Sequence, residues 1–258
     1  MVKIAYQLYS ARDEAAEDLE KVLKEIAALG YDGVEFAGFH GLAAGEVRRL
    51  LDETGLEPVS SHVAFDEIER DMFGVIAYHL AVGCPFIAVP YLQEAERPGN
   101  PGFARVVKGI HAFARLCREA GIRLLYHNHD FEFASLSGLY ALDFLYAAVP
   151  EDLLETEIDT CWVRYSGLDP AAYVKKYAGR CPVVHIKDYA CDEPTSPCGK
   201  MPASFRFRPV GRGVQDVPAV VRAAVDSGAM WLVAEQDFPM DSPMLDAKAS
   251  LAALRAAL

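Results

Sequence analysis

One junction recurs five times along this chain: a helical stretch ends in glycine and an apolar strand follows within a few residues. It runs Ala28-Leu29-Gly30 before Gly33-Val34-Glu35-Phe36, Glu53-Thr54-Gly55 before Pro58 to His62, and Ala81-Val82-Gly83 before Phe86 to Val89. It returns as Glu119-Ala120-Gly121 before Leu124-Leu125-Tyr126-His127, and as Asp226-Ser227-Gly228 before Trp231 to Glu235. Glycine is favoured just past a helix because it takes positive φ without steric cost. Further apolar runs at residues 3–8, 154–159 and 182–187 bring the predicted strands to eight.

Helical periodicity fills the gaps. Leu19, Val22, Leu23 and Ile26 share one helical face, as do Val106, Ile110, Phe113 and Leu116–Cys117. Other helices are predicted over 45–54, 68–82, 139–148, 170–178, 217–227 and 243–258. Eight strands alternating with about eight helices imply a parallel sheet, and its closure gives a (β/α)8 TIM barrel spanning residues 1–258 as one domain. An open doubly wound sheet is the competing topology. It would carry a Gly-rich phosphate loop after an early strand, and the chain has none.

Composition narrows the function. A hydrophobic content of 52% supplies a full core, and a net charge of −12 argues against a nucleic-acid partner. No apolar stretch approaches the ~20 residues of a spanning helix. The chain opens directly on a strand without a signal-peptide pattern, so a cytoplasmic protein is expected. Six cysteines form no Cys-x-x-Cys pair. Reduced thiols are expected, although Cys191 and Cys198 share a loop and could meet.

That loop, residues 189–215, is far longer than an ordinary strand-to-helix connection. It contains Phe205-Arg206-Phe207-Arg208, which suits a short arm or hairpin, and at a barrel mouth it would serve as a lid or substrate contact. It is also long enough to reach a neighbouring subunit, which leaves a homo-oligomer open. Gly211-Arg212-Gly213 either brings N–H groups and a guanidinium to an anion or is a plain helix-entry turn. Arg206, Arg208 and Arg212 leave a phosphorylated substrate open.

Polar residues at strand C-termini converge on the mouth of such a barrel. Here these are Glu35, His62, His127 with His129 and Glu132, Glu157 with Asp159, His185 with Lys187 and Asp188, and Glu235 with Asp237. Unpaired charges inside a barrel cost roughly several kcal/mol. A bound divalent cation would offset the carboxylate repulsion and give the imidazoles a partner. Carboxylates and imidazoles without thiolates suit Mn²⁺ or Mg²⁺ first, then Co²⁺, Fe²⁺ or Zn²⁺. Asp159, His185 and Glu235 are the best ligands, with His127, then His129, as the fourth. Such an ion can polarise a hydroxy-carbonyl unit and favour an enediolate.

Glu157-Ile-Asp159-Thr, Val-His185-Ile-Lys187-Asp188, Ala-Glu235-Gln-Asp237 and Tyr126-His-Asn-His-Asp-Phe-Glu132 together resemble the sugar phosphate isomerase/epimerase superfamily. This is the xylose isomerase-like TIM barrel group, with ketose 3-epimerases, inosose isomerase and inosose dehydratase among its members. The resemblance runs from Gly33-Val-Glu35-Phe to Glu235-Gln-Asp237. It implies metal ligands at Asp159, His185 and Glu235, with a fifth-strand ligand near His127. It also implies that Glu35, His62, His129 and Lys187 line the substrate pocket.

Two departures stand out. The fifth strand carries His127 where the ketose 3-epimerases have a glutamate that is both ligand and base. Trp162 stands where they have a histidine, three residues after Asp159. Glu235 can still act as a base, opposed by His129, Glu157 or Lys187. The first expectation is a metal-dependent isomerase or epimerase acting on a small carbohydrate: a sugar, keto-sugar or sugar phosphate. The His-x-His pattern makes water elimination from a keto-polyol the alternative, and a non-catalytic sugar-binding barrel is the third. The acidic balance argues against the related endonuclease class.

Overall fold

The computed structural model describes residues 2–240 and 242–258. Eight parallel strands close into a barrel: Lys3–Gln7, Gly33–Phe36, Glu57–His62, Phe86–Val89, Arg123–His127, Leu154–Asp159, Val183–Ile186 and Trp231–Ala234, named the first to eighth strands in that order. They succeed one another around the wall in chain order, and the eighth closes on the first with Ala5 opposite Val233. Closure rules out the open doubly wound sheet. The junction glycines Gly30, Gly55, Gly83, Gly121 and Gly228 all have φ between +72° and +96°, which is why glycine recurs there.

Strand alternation sorts the core into two layers. Outward residues such as Val34 and Phe36 pack against helical faces that include Leu23 and Ile26. Inward residues Ala5, Val59, Phe86, Leu125, Val233 and Trp231 form a separate apolar plug inside the barrel. The polar residues lie further along the same strands, toward their C-terminal ends.

The third strand breaks the alternation. Val34 of the second strand pairs with Pro58, but the next residue, Glu35, pairs with Ser60, so Val59 is an extra residue. A bulge of this kind re-aims the side chains beyond it. Val59 belongs to the interior plug, yet Ser60 donates inward to Glu35 and His62 lies at the mouth.

Some helices differ from the periodicity. Residues 68–82 fall in two helices, Phe65–Arg70 and Met72–Val82, because Asp71 caps the second by accepting from Gly74 N at 2.8 Å. Leu139–Tyr140 pairs with Ser135–Leu136 as a short hairpin, so the next helix starts at Ala141. Two short helices, Arg12–Glu17 and Thr160–Tyr165, have no counterpart among the predicted elements.

The long loop forms an arm in which Asp188–Ala190 pairs antiparallel with Arg206–Arg208. Phe205 and Phe207 from the arm pack with Trp162, Tyr165 and Tyr189. The Gly211 and Gly213 amides serve this arm. Asp188 accepts from the N–H groups of Tyr189, Gly211, Gly213 and Gln215 at 2.9–3.1 Å. The anion they meet is therefore the chain's own carboxylate. Arg212, expected as a substrate contact, is exposed. Among the described residues no helix is long and apolar enough to cross a membrane.

Candidate active site

The polar strand ends meet in one cluster at the C-terminal mouth. Ligand atoms of His127, Asp159, His185 and Glu235 all lie within 4.8 Å of one another, and all four residues are buried. His185 Nδ1 is 2.9 Å from Glu235 Oε2, and His127 Nε2 is 3.7 Å from Asp159 Oδ2. Asp159 reaches this position while capping the helix Thr160–Tyr165, because its Oδ1 accepts from Cys161 N at 2.8 Å. Its other oxygen, Oδ2, is buried and forms no hydrogen bond, with Lys187 Nζ 3.4 Å away as a charged neighbour. A buried carboxylate oxygen without a direct donor is open to a bound cation. Two imidazoles and two carboxylates fit a divalent cation, and these residues are the ones that would hold it.

A second carboxylate layer lies beneath. Glu35 and Glu157 are fully buried. Glu35 accepts from Gln7 Nε2 at 2.6 Å and from Ser60 Oγ, and its Oε2 is 2.6 Å from His185 Nε2. Glu157 Oε1 accepts from His62 Nε2 at 2.7 Å and from His127 Nδ1 at 3.1 Å. Both glutamates are thus engaged by imidazoles. Glu35, expected to line the substrate pocket, and Glu157, expected to take part in proton transfer, are placed here among imidazoles at full burial.

Lys187 is buried among three acids, 2.6 Å from Asp237, 3.1 Å from Glu235 and 3.4 Å from Asp159. Its ammonium also lies 5.5 Å from the ring centres of Trp162 and Phe207. Burial opposes its charge, but Asp237, Glu235 and Asp159 outweigh that and hold its pKa well above the usual lysine range. The same lysine pulls Glu235 well below the carboxylate range against the effect of burial. His129 is driven well below the usual imidazole range by burial, then by His127 and Lys187, so it is neutral. Its Nδ1 is buried without a partner.

Above the cluster opens a cavity of about 600 Å³ lined by His62, His127, His129, Lys187, Glu235 and Asp237. That is within the range of small-molecule sites. His127, His129, Lys187 and Glu235 are site residues expected from strand-end position, and His62, also expected, arrives through the bulge. Asp237 stands among the strand-end acids of the sequence but had no role assigned to it. Gln7 and Ser60 join the cluster without having been singled out. Gln7 is the polar C-terminal residue of the first strand, so the rule that found the others also applies to it.

Glu132 anchors the loop carrying His129. Its oxygens accept from Tyr126 Oη at 2.6 Å and His129 N at 2.8 Å. Burial pushes its carboxyl up to about 8 from the ordinary 4.5. Between those values the folded chain holds a proton that the unfolded chain has released. Unfolding free energy therefore falls as pH rises through that window and levels off above it. Denaturant melts of the wild type and Glu132→Gln between pH 5 and 9 are expected to show the wild type losing stability relative to the variant as pH rises. A constant difference would contradict the assignment.

Comparison with known proteins matches this fold. A family model described as the xylose isomerase-like TIM barrel matches residues 23–257. Inosose dehydratase of Geobacillus kaustophilus is 26% identical over 195 residues, covering 67% of this chain and 63% of that protein. The chain thus spans under two thirds of the length of this curated relative. Among solved structures, a sugar phosphate isomerase/epimerase from Parabacteroides distasonis superposes with a TM-score of 0.81 at 21% identity, over 99% of this chain and 94% of the other. The IOLI protein with a bound zinc atom superposes with a TM-score of 0.76 at 13% identity, over 99% and 98% of the two chains. At such identities the structural likeness is one of fold.

Proposed function

Because the chain belongs to the xylose isomerase-like TIM barrel family, we propose that it is a divalent-cation-dependent enzyme that removes the proton beside the carbonyl of a keto-polyol. One observation carries this: His127, Asp159, His185 and Glu235 bring ligand atoms within 4.8 Å of one another, and two of them, His127 and Glu235, line a cavity of sugar size. The cation, when bound, supplies Lewis-acid polarisation of the carbonyl. Mn²⁺ and Mg²⁺ suit the oxygen-rich set, and the zinc of the IOLI structure adds Zn²⁺ to the candidates.

Glu235 is the base in this reading. Held ionised by Lys187, it faces the cavity and takes the α-proton. His129 is neutral with a free Nδ1, so it can exchange a proton with a substrate hydroxyl from another part of the wall. Lys187, fixed by Asp237, and His62 present donors to substrate oxygens. The arm and Trp162 cover the lysine side and keep water from it.

Two outcomes share this first step. Water elimination needs a base for the α-proton and a proton for the departing hydroxyl; Glu235 takes the first and, once protonated, can return it to the hydroxyl. Epimerisation needs a second base on the opposite face. Glu157, the carboxylate offered for that task, is buried beneath imidazoles. The curated relatives named inosose dehydratase also favour elimination. Sugar epimerisation is the second reading, supported by His129 and Glu235 both reaching one cavity.

The test is incubation of the Mn²⁺-loaded protein with an inosose in D₂O. Elimination predicts a rising ultraviolet absorbance from a conjugated product. Deuterium entering recovered substrate without that absorbance would select epimerisation. Neither signal across inososes and ketoses, with metal bound, would overturn the proposal.

A further inference from the structure

The four imidazoles and two deep glutamates contain more order than a cation site alone needs. A second group, His62, His127, Glu157 and His185, also has ligand atoms within 4.8 Å of one another. It shares two histidines with the first group. Filling both groups with cations would require His127 and His185 to ligate through both ring nitrogens, as imidazolates stripped of their last proton. The contacts point elsewhere for His127. Its Nδ1 is 3.1 Å from the buried carboxylate of Glu157, while its Nε2 stands 3.7 Å from Asp159, beyond hydrogen-bond reach. A carboxylate accepts and cannot donate, so Nδ1 carries the proton and Nε2 is left for the cation. His185 is flanked by carboxylates on both sides, Glu35 2.6 Å from Nε2 and Glu235 2.9 Å from Nδ1, and its contacts select neither nitrogen.

We infer that Glu157 is a positioning residue that fixes the tautomer of His127, presenting Nε2 to the cation. The inference rests on the cation-site reading and deepens it. Glu157 supplies a fixed acceptor because it is itself held: His62 donates to the same oxygen at 2.7 Å, and the backbone beneath is a barrel strand. Ligating histidines are oriented by such acceptors in metal sites generally, and losing the acceptor weakens metal binding by about 10–100-fold.

The test compares Mn²⁺ and Zn²⁺ titrations of metal-stripped wild type, Glu157→Leu and Glu157→Gln. One cation per chain is expected in each. Glu157→Leu should bind about 10–100-fold more weakly, and Glu157→Gln, whose side-chain oxygen still accepts, should recover part of the loss. Unchanged affinity in Glu157→Leu, or two cations per wild-type chain with one lost in that variant, would overturn the inference while leaving the cation-site reading intact. Wild type that takes up no divalent cation overturns that reading, and this inference with it. If Glu157→Leu does not fold, nitrogen-15 NMR of Zn²⁺-loaded wild type decides. A proton on Nδ1 of His127 is expected, and a proton on its Nε2 instead refutes the assignment.

Discussion

Glu235→Gln is expected to lower turnover by about 10²–10⁴-fold through loss of the base alone, and further through loss of a charged ligand. The substitution is nearly isosteric, so the barrel should survive it. What changes is charge. Glu235 Oε2 sits 2.9 Å from His185 Nδ1 and 3.1 Å from Lys187 Nζ. A neutral amide there cannot take a proton, and it competes poorly for a cation. Substrate deuterium exchange and bound-metal content should be measured on the same preparation. Exchange should vanish even where excess Mn²⁺ restores full occupancy. A variant retaining more than about a tenth of wild-type exchange would remove Glu235 from the proton-transfer role.

Lys187→Met is expected to cost about 3–5 kcal/mol of stability, the range seen when one member of a buried ionic group is removed. Lys187 is only 1% exposed, Asp159 and Glu235 are buried and Asp237 is partly exposed, so solvent screens little of the interaction with the first two. Methionine fills the volume between Trp162 and Phe207 but leaves Asp159, Glu235 and Asp237 facing one another. The loss should shrink at low pH, where Asp237, already raised to about 6 by burial, takes up a proton. It should also shrink when Mn²⁺ is added, because a cation substitutes for part of the missing charge. Denaturant melts at pH 5.5 and 8, with and without Mn²⁺, check all three statements. A melt within about 1 kcal/mol of wild type at pH 8 would mean the lysine is not the counter-charge its position implies.

The barrel was legible because helix-stop glycines and apolar runs are local signals. Each junction glycine adopts the positive φ that explains its presence. Local signals fail where one residue serves two neighbours. Asp159 ends a strand, caps the helix Thr160–Tyr165 and joins the polar cluster, so no gap in the pattern announces that helix. Asp71 likewise splits one apolar periodicity into two helices. For the site, strand-end position gave the right neighbourhood for His127, Asp159, His185 and Glu235. It did not give depth. Glu35 and Glu157 share inward faces with the cavity residues, but side-chain length and the imidazoles above them place them underneath. Pairing partners such as Gln7 with Glu35 are set by strand adjacency across the barrel, which lies outside any linear window.

The extra residue at Val59 bears on how relatives should be compared with this chain. Upstream of it, alternate positions on the third strand face inward on one parity. Downstream, the parity is reversed, and that reversal is what delivers His62 to Glu157. A homologue lacking the insertion would align smoothly on both sides, yet the column holding His62 would then map to a side chain directed at the outer helices. Identity at that column is therefore no guide to shared chemistry unless the gap is placed with coordinates in hand, and a substrate assignment transferred through it would inherit the error.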